Sequence, residues 1–169
     1  MTNQACLEMH YKVAKTFGKK VKYSSIGEFG FSDGTGEVLF SKRSLWSEWY
    51  SSCCATILFQ DKWASLSHRN LMHESGYNTK KDIEFSLDEL AKVANSGEIS
   101  GFVVGGNPKH MGEMMESLNK FNIIPINEGS YFSEMWRGLV VVPETRRIIL
   151  CETREPDNKA FEKNYKILN

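Results

Sequence analysis

Residues 51–68, SSCCATILFQDKWASLSH, decide the reading of this chain. From Cys53 to Phe59 every residue but Thr56 is apolar, and β-branched Thr56 and Ile57 favour extended backbone. Such a run fits a strand covered on both faces, near the middle of a sheet. Gln60, Asp61 and Lys62 turn the chain, and WASLSHRNLM alternates well enough to return as the neighbouring strand. A hairpin turning there sets His68 opposite residues in the low fifties. Nucleophilic cysteine chemistry needs a thiolate and a nearby base, so the hairpin raises a cysteine–histidine pair against the plainer alternative of satisfied core residues. Successive strand side chains face opposite ways, so Cys53 and Cys54 cannot both face His68, and spacing alone does not choose between them.

Outward from this hairpin, SDGTG at 32–36 reads as a turn whose flanks, GEFGF and EVLF, pair across it. A short helix is expected around residues 5–16. ESGYNTKKD reads as a polar connection, and SLDELAKVANSG as a helix with Ser86 at its N-cap and Gly97 as its stop. ISGFVVGG is a buried strand, and PKHMGEMMESLNKFN a second principal helix with a methionine stripe of core type. IIPIN is a short strand, and RGLVVVP and RRIILCET form the clearest hairpin in the chain. The C-terminal EPDNKAFEKNYKILN is polar and is expected to pack loosely. VVGGNP lacks the glycine spacing of a dinucleotide-binding turn. The result is a single α/β domain over residues 1–169 with substantial antiparallel sheet.

Composition narrows the function classes. With 21 basic and 21 acidic residues and 41% hydrophobic content, the chain suits a globular protein and carries no broad electrostatic signal for nucleic acid. No apolar run is long enough for a transmembrane segment, and MTNQACLEMHYKVAK lacks the pattern of a Sec signal. The four cysteines show no CxxC spacing, and reduced thiols in a cytoplasmic setting are expected. Export by a route without a Sec signal would leave no trace in this pattern. His68, His73 and Glu74 do not follow the helical HExxH spacing, so neither metal nor other cofactor is expected. His10, His73 and His110 read as surface or core residues, and Arg146–Arg147 as a solvent-facing turn.

SCCATILFQDKWASLSH resembles the SCV…H active-site hairpin of the CheD family, the chemoreceptor glutamine deamidases. The resemblance continues in order over about residues 45–151. GFVVGG resembles that family's phenylalanine–glycine–glycine strand end, MGEMMESLNKFNIIPI its following helix and GIP strand, and RGLVVVPETRRIIL its closing hairpin. It implies a CheD-like α/β/α sandwich with mixed, substantially antiparallel sheets, shared with the deamidase domain of cytotoxic necrotizing factors. The motif assigns the nucleophile to Cys53, after Ser52, and the base to His68. Ser47 stands six residues before Cys53, where the family has a threonine, and offers a hydroxyl to orient the histidine. SSC replaces the family's GSC, KWASLS replaces its glycine-rich stretch, and residues 11–45 diverge from its N-terminal strand.

The implied activity is cysteine-dependent deamidation of protein-bound glutamine to glutamate with release of ammonia, or hydrolysis of a glutamate methyl ester by the same chemistry. The implied partner is a glutamine-bearing protein substrate, a chemoreceptor or regulatory protein. Two alternatives are a noncatalytic protein-binding relative and an exported deamidase acting on a host protein. Backbone N–H groups near Ser52–Cys54 would hold the oxyanion. Gly105 and Gly106 read as a tight strand exit beside the site, and Trp46, Trp49, Tyr50 and Trp63 as core residues that together could wall a substrate groove.

Overall fold

The computed structural model describes residues 3–21, 38–50, 53–70, 76–93, 98–105, 123–126, 136–154 and 162–168. Within these, the backbone alone is described for 49–50, 53–54, 69–70, 76–83, 93, 105, 123–126, 136, 154 and 162. In chain order the elements are α1 (Asn3–Phe17), β1 (Lys19–Lys20), β2 (Val38–Ser41), β3 (Leu45–Tyr50), β4 (Cys53–Gln60) and β5 (Trp63–Asn70). They continue with α2 (Gly76–Val93), β6 (Ser100–Gly105), β7 (Ile123–Ile126), β8 (Trp136–Val142), a 3-10 turn (Pro143–Thr145), β9 (Arg147–Arg154) and β10 (Glu162–Leu168). Among the described residues the chain is mixed α/β, with two five-stranded sheets ordered β1-β3-β8-β9-β10 and β2-β5-β4-β6-β7. The pairs β1–β3 and β6–β7 are parallel and the others antiparallel.

The apolar run at 53–59 occupies the middle of its sheet, between β5 and β6, as its composition requires. Ala55, Ile57 and Phe59 face one way and join Ala64 and Leu66 of β5 and Val104 of β6. From the other sheet, Leu45, Leu139, Val141, Ile148, Leu150 and Leu168 meet them in the same core. The two sheets therefore pack against each other across one apolar layer. Each large side chain fully buried there contributes roughly 1.5–3 kcal/mol, whereas a partly exposed ion pair such as Lys15–Glu48 contributes about 0–1 kcal/mol. Apolar burial, not ion pairing, holds the layers together.

The opposite strand faces take the helices. Leu7, Tyr11 and Ala14 of α1 pack on Val140, Ile149, Cys151 and Tyr165. Helix α2 lies against β2, β4 and β5, where Phe40 meets Phe85 edge to face. Beneath α2, β5 turns serines rather than apolar residues outward, and the hydroxyls of Ser67 and Thr56 hydrogen-bond to each other. That pairing satisfies two buried polar groups that would otherwise be costly.

Helix α1 approaches β8 so closely at Gly138 that an added Cβ would strike the Tyr11 hydroxyl. Gly138→Ala is expected to cost about 1–3 kcal/mol through overpacking. A shift of the urea unfolding midpoint measures it, and an unchanged midpoint would contradict this packing. At the sheet's far edge, the Gln4 carboxamide acts as a surrogate strand. Its Nε2–H donates to the Tyr165 carbonyl at 2.8 Å, and the Tyr165 N–H donates to its Oε1 at 2.9 Å.

Two expectations are corrected here. The polar stretch 76–82 is helix, not connection, so Ser86 is a buried mid-helix residue and not an N-cap. The helix runs through this stretch despite the weak helix propensity of Asn, Thr and Gly. The polar C-terminus forms β10, because pairing with β9 satisfies its backbone while Tyr165 is buried under α1 and Leu168 in the core between the sheets. The expected turn at 32–36, the strand GEFGF, the helix 108–122 and the helix stop at Gly97 lie outside the described residues.

Candidate functional site

The β4–β5 hairpin turns at Asp61, whose φ of 52° lies in the left-handed region that aspartate tolerates better than most residues. Its register pairs Ala55 with His68, Cys54 with Arg69 and Cys53 with Asn70. Directly paired residues of an antiparallel ladder share a face. Position 53 therefore lies on the face of His68, one diagonal step away, and position 54 on the opposite face. Positions in that relation are about 7–8 Å apart, within reach of longer side chains. Directly opposite His68 stands the small, buried Ala55.

The same face looks into the layer between the sheets, and β3 supplies the next residue. Ser47 pairs with Leu139 on the inward side of β8. Its Oγ is 2.8 Å from His68 Nδ1 and 2.9 Å from the carbonyl oxygen of Val21. A carbonyl only accepts, so the serine proton goes to Val21. Ser47 Oγ then accepts from His68 Nδ1–H, and the neutral ring carries its lone pair on Nε2. Ser47 is 1% exposed and His68 has no exposed surface. Burial pushes the His68 pKa down to about 3, so the ring is neutral at physiological pH.

Of the residues singled out from sequence, Ser47 and His68 are joined by a hydrogen bond, and position 53 shares their side of β4. Gly105 ends β6 opposite Cys54, while Gly106 is outside the described residues. The aromatic wall is corrected. Trp46 alternates to the helix side of β3, with the ammonium groups of Lys15 and Lys20 at 4.6 and 4.9 Å from its ring centre. Trp63 lies on the face opposite His68 and carries Lys42 5.0 Å from its ring centre. The side chains of Trp49 and Tyr50 are not among those described.

His10, Arg146 and Arg147 are exposed, and His73 and His110 fall outside the described residues. Cys151 is buried below α1, and burial pushes its thiol pKa up, away from nucleophilic character. Among the described residues no three of His, Cys, Asp or Glu come together to hold a metal. No helix among them is long and apolar enough to cross a membrane. The group that sequence reasoning missed is the Val21 carbonyl, which no side-chain motif could reveal.

No protein-family model matches the chain, and no curated protein matches it. Among solved structures it is similar to the C-terminal domain of CNFy from Yersinia pseudotuberculosis, at 11% identity and a TM-score of 0.39. That match covers 75% of this chain and 54% of the other, so the chain spans about half the length of that structure.

Proposed function

We propose that the chain is a cysteine-dependent protein glutamine deamidase with a CheD-like sandwich fold, Cys53 acting as nucleophile, His68 as base and Ser47 as the residue that orients His68. One observation carries the reading: the hydrogen bond from His68 Nδ1 to Ser47, on the strand face that position 53 shares. In the proposed reaction Nε2 of His68 takes the Cys53 thiol proton. The sulfur attacks the side-chain carbonyl carbon of a protein-bound glutamine. Nε2–H then protonates the departing nitrogen, which leaves as ammonia. Water, deprotonated by the same Nε2, attacks the thioester; glutamate is released and the thiol restored. A glutamate methyl ester would lose methanol by the same path.

Burial disfavours a lone imidazolium at His68, but proton transfer from Cys53 creates both charges together, and each offsets the other's desolvation. The proposed substrates are glutamine-bearing regulatory proteins, chemoreceptors included, or a host protein if the enzyme is exported. The full burial of His68 favours a second reading, a noncatalytic protein-binding relative.

The experiment is incubation with chemoreceptor domains and with a folded proteome, followed by ammonia assay and mass spectrometry. The expected result is a gain of about one dalton at specific glutamines, the mass difference between an amide and an acid, with rapid alkylation of Cys53 at neutral pH. No mass gain together with an inert Cys53 would favour the binding module.

A further inference from the structure

We propose that the outward side of α1, together with Lys19 and Lys20 beyond its C-terminal end, docks on the surface of an anionic lipid bilayer. The inference stands on α1 and its flank and does not depend on the deamidase reading.

Helix α1 already buries one apolar side, where Leu7, Tyr11 and Ala14 pack on the sheet. A helix lying on a sheet is ordinarily polar on its opposite side. Here Met9, Val13 and Phe17 follow at every fourth position and so line up as one stripe along the helix. They are 47%, 51% and 74% exposed. Three of the five exposed large apolar side chains among the described residues therefore stand in one row. Single exposed apolar residues are ordinary, whereas a contiguous row marks an interaction surface.

Charge decides the occupant. Residues 3–21 hold Lys12, Lys15, Lys19 and Lys20 against one acidic residue, Glu8, in a chain whose formal charge totals zero. Lys12 pairs with Glu8 at 2.6 Å, and Lys15 with Glu48 of β3. Lys19 and Lys20, both exposed, add two positive charges directly after Phe17 and Gly18. The ammonium groups of Lys15 and Lys20 also lie over the ring of Trp46, at the edge of the same surface. Lysine stems lie along apolar surface and lift their charges toward phosphate groups. A flat apolar stripe with an aromatic tip and a lysine rim suits the boundary between headgroups and acyl chains. A second copy of the chain would set the same lysine excess against itself. Uncharged lipid would engage the stripe and leave the lysines unused.

The test is co-sedimentation of the full chain with vesicles of phosphatidylcholine, alone or mixed with phosphatidylserine, at low and high salt. The wild type is expected to pellet with the phosphatidylserine vesicles at low salt and to be released by high salt. Phe17→Ser should lower the partition coefficient about tenfold, the lower end for burying a phenyl side chain. The double variant Lys19→Gln/Lys20→Gln should lower it by roughly tenfold or more, since each lysine near an anionic surface contributes about fivefold. All three side chains are exposed, so the urea unfolding midpoints should stay at the wild-type value. Lys92→Gln is the control. It removes an exposed lysine from α2, on the other sheet, and should bind as the wild type does.

A wild type that stays in solution beside phosphatidylserine vesicles would overturn the proposal. So would equal binding to phosphatidylcholine alone, or folded Phe17 and lysine variants that bind undiminished. A concentration-dependent dimer in sedimentation velocity, abolished by Phe17→Ser and unaccompanied by vesicle binding, would assign the stripe to a second copy of the chain instead.

Discussion

On the proposed deamidase reading, Cys53→Ala is expected to abolish ammonia release from a glutamine-bearing substrate, and Cys54→Ala to release it at close to the wild-type rate. Adjacent cysteines on one strand make this contrast unusually sharp. The register pairs position 53 with Asn70, two residues beyond His68, and position 54 with Arg69 and Gly105. Position 53 shares the face of Ala55, Ile57 and Phe59, and position 54 that of Thr56 and Leu58. A nucleophile using His68 must come from the first face. Losing the nucleophile of a catalytic pair costs on the order of 10⁴–10⁶ in kcat, and losing its base about 10²–10⁴. His68→Ala is therefore expected to be severely impaired and Ser47→Thr nearly active. The assay is the initial rate of ammonia release, checked by the mass of the modified glutamine. An active Cys53→Ala protein, or an inactive but folded Cys54→Ala protein, would reassign the nucleophile.

The second large effect is on stability in acid. His68 has its pKa pushed from 6.5 to about 3 by burial. Between those values the unfolded chain binds a proton at residue 68 that the folded chain does not. Stability therefore falls as pH drops through this window, and the contribution is fully present above about 6.5. At 1.36 kcal/mol per unit, the loss is about 2 kcal/mol by pH 5 and on the order of 4–5 kcal/mol by pH 3. His68→Asn isolates the effect, since its amide N–H can replace Nδ1–H as donor to Ser47 and it does not titrate. Urea unfolding at a series of pH values should show the wild type losing stability faster than His68→Asn as the solution is acidified. Parallel curves would mean that His68 meets a stabilising negative charge when protonated in the folded protein.

These two predictions depend on different depths of reading. Much of the hairpin was legible in the linear chain. The apolar run at 53–59, the Gln60–Lys62 turn and the alternation after it are local patterns, and local patterns encode strand and register. The same holds for the β8–β9 hairpin, where RGLVVVP and RRIILCET are separated by a short turn. The register that brings His68 opposite Ala55 follows from the turn, so the arrangement of residues 53 and 68 on one ladder was recoverable before any coordinates. The first turns of α2, residues 76–82, and strand β10 were not, although the helix over SLDELAKV was. Both are polar stretches whose intrinsic preferences are weak, and for β10 the pairing with β9 supplied what those preferences lacked.

The chain's own pattern therefore determined the central strand, its antiparallel partner and the pairing of a cysteine-bearing strand with one bearing histidine. Only the tertiary structure determined that Ser47, on the other sheet, reaches His68, that the Val21 carbonyl takes the serine proton, and that Trp46 and Trp63 face away from the site. Strand periodicity is a property of neighbouring residues, read every second position along one segment. Which side chain meets which across two packed sheets depends on how those layers settle against each other, and no spacing within either segment carries that information.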